Sequence, residues 1–207
     1  VITAAVELGL AMVCLDLGPL PIPPLGEKPK PKISPEQAGL IIIPELKPEA
    51  SAPDSSRVEK RDLAFEATVT GALQALGQIA DRLGTIIALR SSLAGFASLE
   101  HAIVGSGCPW FGVDLDTVHM LADEWSSDEI FSRLGSHIRH VRARDATKGT
   151  GGRVLPCAVG AGSVDWPALL GNLDAADYRG FVTIDSTDLP NRATAAAQGL
   201  QVFARLK

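Results

Sequence analysis

Short, mostly apolar runs recur along the chain at Ala11–Leu15, Thr85–Leu89, Trp110–Leu115, His137–Ala143 and Gly180–Ile184. Continuous apolar character over so few residues reads as strands buried on both faces. Between them, apolar residues return at helical spacing. The clearest case is Asp62–Leu83, where Leu63, Val69, Leu73, Leu76, Ile79, Ala80 and Leu83 fall on one side. Asp62 is placed to cap its start and Gly84 to end it. Shorter helices are predicted near Phe96–Val104, Asp128–Leu134, Trp166–Leu173 and Ala193–Ala204, and Ala4–Leu8 reads as a helix end with Gly9 as its C-cap. Regular alternation of helices with buried strands predicts an α/β fold, a parallel sheet covered by helices.

The pattern breaks between Gly18 and Arg61. Ten of the fourteen prolines fall there. Proline fixes φ and removes a backbone donor, so neither a central strand nor a long helix is expected. The segment reads as a long, partly extended loop with Leu40–Ile43 as its apolar anchor, a candidate sixth strand. It is either an insertion without a role or a lid or binding loop. The expected organisation is one domain over 1–207, with this insertion at 18–61.

Composition narrows the function. The 207 residues are 46% hydrophobic and carry a formal net charge of −5. That is ample for a core and argues against a nucleic-acid partner. Cys14, Cys108 and Cys157 form no C-x-x-C pair, and an odd count fits a reducing, cytoplasmic setting. No apolar run reaches the ~20 residues of a membrane span. The chain opens at Val1 with an apolar stretch that holds Glu7 and has no basic leader. That reads poorly as a signal peptide and better as a start inside a longer protein.

The polar residues that interrupt the strands carry the candidate chemistry. In parallel α/β barrels, function sits at the C-terminal strand ends. Here those ends hold Arg90, Asp116, Arg142 with Arg144, and Asp185. Asp116 and His119 form D-x-x-H at the end of the strand in GVDLDTVH, a carboxylate and an imidazole on one rim. They read either as a structural pair or as a site. Asp114 shares the strand parity of Asp116 and, facing inward, needs a partner, for which a nearby arginine is the natural choice. In HVRARD, His140, Arg142 and Arg144 share one parity and Val141 and Ala143 the other. The apolar pair should face the helices and the basic three the interior, where they need carboxylates or an anion. In VGAGSVD, the glycines at 160 and 162 permit close backbone approach and Asp165 can cap the helix at Trp166–Pro167. Their amides are one candidate for binding phosphate. Lys148–Gly152 lacks the order of a phosphate-binding loop and reads as a flexible rim loop. His101 and His137 read as structural or surface groups.

GVDLDTVH, HVRARD, VGAGSVD and the Tyr178–Gly180 lead into an apolar strand together resemble the xylose-isomerase-like barrels, a family of sugar isomerases, epimerases and related lyases and nucleases. The resemblance implies a (β/α) TIM-barrel-like fold in which the visible strands match the fourth to the eighth. Truncation, an upstream segment, an open barrel or a homo-oligomer that completes it each account for the other three. The family's Asp-x-x-His implies a metal-binding role for Asp116 and a substrate or metal role for His119. Its H-x-K-D pattern falls on Arg142, Arg144 and Asp145. Its two remaining metal-binding carboxylates fall on Arg90 and Asp185. Asp116 therefore survives, Asp185 is a conservative change, and Arg90 and Arg142 are losses, because guanidinium cannot ligate a metal.

The expectation is no catalytic metal at the family position and no cofactor. A degenerate sugar phosphate isomerase/epimerase-like barrel that binds ligands or acts as a scaffold is the leading reading. Ion pairs, Arg90–Asp116 or Arg142–Asp185, would then stand in place of the metal. The alternative is a divergent isomerase, epimerase or lyase acting on an anionic sugar or small oxo-acid. It would use Arg90, Arg142, Arg144 and Asp145 to bind and His119, His140 and Asp185 to move protons.

Overall fold

Each expected strand is present, and all five pair in chain order. The computed structural model describes residues 2–23, 62–149 and 154–206, so the candidate strand at Leu40–Ile43 lies outside the described residues. The sheet is built from β1 (Met12–Leu17), β2 (Ile86–Ser91), β3 (Phe111–Asp116), β4 (Ile138–Ala143) and β7 (Val182–Ile184). It runs β1-β2-β3-β4-β7 with every pair parallel.

Strand parity explains the sheet's two faces. Ile87 and Leu89 on β2, Phe111, Val113 and Leu115 on β3, and Val141 and Ala143 on β4 are all buried in the core. They pack beneath the covering helices. These are α2 (Leu63–Leu83), α3 (Phe96–Ser106), α5 (Ser127–Leu134), α6 (Trp166–Ala175) and α7 (Arg192–Leu206). A short α1 (Ile2–Glu7) precedes β1, and α4 (Thr117–Ala122) follows β3 directly. The opposite parity carries the polar groups.

The helix signals work as the sequence implies. Asp62 accepts from the Phe65 amide at 3.0 Å, and Gly84 closes α2 at φ +62°. Asp165 accepts from the Ala168 amide at 3.0 Å with Pro167 in the first turn of α6. Leu73 and Ala80 of α2 are buried, whereas Leu63 is 68% exposed.

Two differences from the sequence reading matter for the site. First, β1 runs to Leu17 rather than stopping at Leu15, which puts Asp16 inside the strand, in register with Arg90. Second, β5 (Asp145–Lys148) and β6 (Val154–Cys157) form an antiparallel hairpin beyond β4, where a flexible loop was expected around Lys148. Short, partly polar ladders of this kind have no hydrophobic alternation to reveal them.

Candidate ligand pocket

The interior face of the sheet carries two polar layers, one strand repeat apart. Asp16, Arg90, Asp116, Arg142 and Asp185 stand at the C-terminal rim. Two residues earlier on the same strands are Cys14, Ala88, Asp114, His140 and Thr183. A two-residue step keeps a side chain on the same face and moves it about 6.6 Å along the strand.

The rim is a set of ion pairs. Arg90 Nε donates to Asp16 Oδ2 at 3.1 Å, and the Ser92 amide and hydroxyl also donate to that carboxylate. Burial pushes Asp16 up, but Ser92 and Arg90 together hold its carboxyl below the ordinary value. Arg142 Nη1 donates to Asp185 Oδ2 at 2.6 Å. Burial likewise raises Asp185. The Thr187 hydroxyl and amide and the Arg142 guanidinium outweigh it, bringing that carboxyl down to about 2. Arg144 Nη1 donates to Asp116 Oδ2 at 2.7 Å, and Nη2 donates to Asp188. Asp116 also caps α4, its Oδ1 accepting from the Val118 amide at 3.0 Å.

The layer below is organised around Asp114. Its side chain is fully buried, and Oδ1 lies 2.6 Å from His140 Nδ1. His140 Nε2 meets the Thr183 hydroxyl at 2.8 Å. The Asp114 hydrogen bond, helped by Cys14 and opposed by burial, raises the imidazole to about 9, so His140 is protonated at neutral pH. Oδ2 of Asp114 lies 3.5 Å from Arg90 Nη1 and from Arg142 Nη2, yet it receives no hydrogen bond.

Above these groups opens a pocket of about 310 Å³. Of the residues singled out from the sequence, Arg90, Asp116, His119, Arg142, Arg144 and Asp185 line it, joined by Ser91, Ser92, Thr187 and Asp188. The His119 ring lies 5.0 Å from the ring of Phe96, which in turn stacks on Trp125 at 5.4 Å. His140 and Asp145 do not line the pocket. His140 sits in the lower layer. Asp145 is buried, and its carboxylate accepts from the amides of Ala146, Gly160, Gly162 and Val164 and from the Trp166 indole. The glycine amides considered for phosphate are thus already bonded to an internal carboxylate. Gly162 is required there, since a Cβ would stand 2.1 Å from Asp145 Oδ1.

The pairing partners match the expectation in part, and Asp114 does lie between arginines. Arg142–Asp185 forms, but Asp116 takes Arg144, and Arg90 takes Asp16 and Asp114. Asp16, Ser92 and Thr183 were missed. The parity of Asp16 with Cys14 was the available signal, hidden by ending β1 too early.

The comparisons agree on the fold. The profile described as xylose isomerase-like TIM barrel matches residues 42–206. Among solved structures, a xylose isomerase domain protein from Planctomyces limnophilus superposes with TM-score 0.68 at 18% identity, over 98% of this chain and 60% of that one. The 3-keto-D-glucoside 4-epimerase of E. coli, in apo form, gives TM-score 0.56 at 21% identity, over 73% of this chain and 58% of that one. A xylose isomerase-like TIM barrel protein from Mycobacterium smegmatis in complex with magnesium gives 0.63 at 12%, over 99% and 63%. The chain therefore spans about 60% of the length of these structures. No curated protein matches it.

Proposed function

The chain belongs to the xylose isomerase-like TIM barrel family, and on that premise we propose that it is a sugar-binding barrel without the family's metal chemistry at its rim. The observation that carries this reading is the pairing of the rim. Asp116 and Asp185, the two carboxylates at the family's ligand positions, are held by Arg144 and Arg142. Arg90 and Arg142 occupy the other two positions. A guanidinium offers no lone pair to a metal and repels one. The donor set does not fit a divalent cation at this place.

The same groups narrow the ligand. In the pocket lining Asp116, Asp185 and Asp188 face Arg90, Arg142 and Arg144, so the charges balance. A balanced, paired lining suits a neutral polyol better than a phosphate or a carboxylate, which would have to displace an aspartate from its arginine. Sugar hydroxyls can donate to the carboxylates and accept from the guanidiniums without displacing a pair, while His119 offers a flat ring on one wall.

A second reading has its own support. The three arginines line an open pocket beside His119 and Asp185, as a metal-independent enzyme acting on an anionic sugar or oxo-acid would require.

Thermal shift with D-tagatose and D-allulose, set against sugar phosphates and small oxo-acids, separates the two. Stabilisation by the neutral sugars, with no turnover by NMR, is the expected result. Turnover of an anionic ligand that is lost on Asp185→Asn favours the second reading. A Mn²⁺ or Mg²⁺ shift that disappears in Asp116→Ala defeats both and restores a metal-dependent isomerase.

A further inference from the structure

Beneath the rim, the interior face of the sheet gathers three side chains of metal-ligating type. Cys14, Asp114 and His140 come from β1, β3 and β4 and meet in the lower layer. One donor atom from each lies within 4.8 Å of the others. We propose that these three side chains form a binding site for a borderline-soft divalent metal, of which zinc is the best fit, separate from the rim and beneath it.

The donor chemistry selects the metal. A thiolate, an imidazole and a carboxylate make a three-ligand set of the kind that leaves zinc one open position. Magnesium, calcium and manganese prefer oxygen ligands and have no use for the thiolate. The rim cannot duplicate this site, because it has no sulfur and its carboxylates are each held by a guanidinium.

A second observation points independently to a ligand. Asp114 is fully buried, its Oδ1 is bonded to His140, and its Oδ2 receives no hydrogen bond. A buried carboxylate oxygen without a donor is costly and uncommon in folded proteins. The nearest cations, Arg90 and Arg142, stand back at 3.5 Å, and each has a closer carboxylate in Asp16 or Asp185. They can stay on those partners while Oδ2 turns to a metal. The imidazole gives up one of its two hydrogen bonds, to Thr183 or to Asp114, in order to ligate. Loss of the thiol proton and of the imidazolium proton then leaves a thiolate, a carboxylate and a neutral ring, whose charge balances a divalent ion. Among the described residues Cys14 lies on the outermost strand, β1, and is exposed.

Cobalt(II) provides a readout that does not depend on activity. Stoichiometric Co²⁺ added to the metal-free full chain should produce a near-ultraviolet thiolate-to-cobalt charge-transfer absorption, and Zn²⁺ should abolish it by displacement. The absorption should be lost in Cys14→Ser and in Cys14→Ala. It should persist in Cys108→Ser/Cys157→Ser and in Asp116→Ala. Far-ultraviolet circular dichroism checks that the Cys14 variants remain folded. A wild-type chain without the absorption overturns the proposal, as does absorption that survives in a folded Cys14 variant or requires Cys108 or Cys157. Loss in a folded Asp116→Ala would show that the thiolate-bound metal needs the rim carboxylate, which overturns a site separate from the rim.

Discussion

The two interior layers differ in how their carboxylates are satisfied. At the rim, Asp16, Asp116 and Asp185 each accept hydrogen bonds from a guanidinium and also from a local hydroxyl or amide. One repeat below, Asp114 has a single hydrogen-bond partner, His140, and two guanidiniums ion-paired at 3.5 Å without a hydrogen bond. The rim is closed as an ion-pair network, while the lower layer keeps unused capacity at its centre. A network that satisfies itself has little to offer a ligand, whereas a buried oxygen that accepts no hydrogen bond keeps a lone pair free.

Removing Asp114 should have the largest effect. Asp114→Ala leaves protonated His140 without its partner and removes the shared charge between Arg90 and Arg142. Breaking a buried pair from one side costs about 3–5 kcal/mol. Urea unfolding at a constant m-value measures this. A loss below about 1 kcal/mol would mean that the arginines and Thr183 hold the layer without Asp114.

The rim should be less sensitive. Asp185→Asn keeps the contact with Thr187 and leaves Arg142 near Asp114, so a cost of about 1–2 kcal/mol is expected. A double-mutant cycle on Arg142 and Asp185 should return a coupling of about 0.5–2 kcal/mol. Coupling near zero would show that this pair is a surface contact and not part of a closed network.

The fold was legible from the sequence because helical period and buried-strand runs are local signals. All five strands and the principal helices follow from them. The facing of Asp114, His140 and Arg142 was legible from parity. Which arginine meets which aspartate was not, because partner choice depends on the stagger between strands. The register between β3 and β4 shifts between Val113 and Asp114, and Asp116 pairs with Arg144, beyond the end of β4, rather than with Arg90. Asp145 shows a different limit. Its position in the strand-end motif resembles a substrate contact, yet five donors from Ala146, Gly160, Gly162, Val164 and Trp166 converge on it. Nothing local in the sequence announces that the Gly160–Gly162 turn folds back to that carboxylate.

pH separates the layers in the metal-free protein. His140 is raised from 6.5 to about 9 in the folded state. Its contribution is therefore complete below about 6.5 and is lost as pH rises through about 9. Asp185 is lowered from 3.8 to about 2. Its contribution is present above 3.8 and is lost as pH falls through about 2. Denaturation midpoints across pH should show an alkaline loss that vanishes in His140→Gln and an acid loss that shrinks in Asp185→Asn. An alkaline limb unchanged by His140→Gln would assign it to another group.

The smallest effect on stability should come from His119, and its value lies in that smallness. The ring lines the pocket and touches Phe96, which is itself buried against Trp125. Removing it forfeits one tilted aromatic contact, about 0.5–1 kcal/mol, and leaves both polar layers intact. If the pocket holds a sugar against this ring, His119→Ala should weaken that sugar's binding by about tenfold, which corresponds to about 1.4 kcal/mol. Isothermal titration with the neutral sugars tests this. Unchanged affinity in a fully folded variant would remove the ring from the binding site and leave the paired rim as the whole of the recognition surface. The ligand would then be read by charge alone, and the arginine-based alternative would gain the ground that the neutral sugar lost.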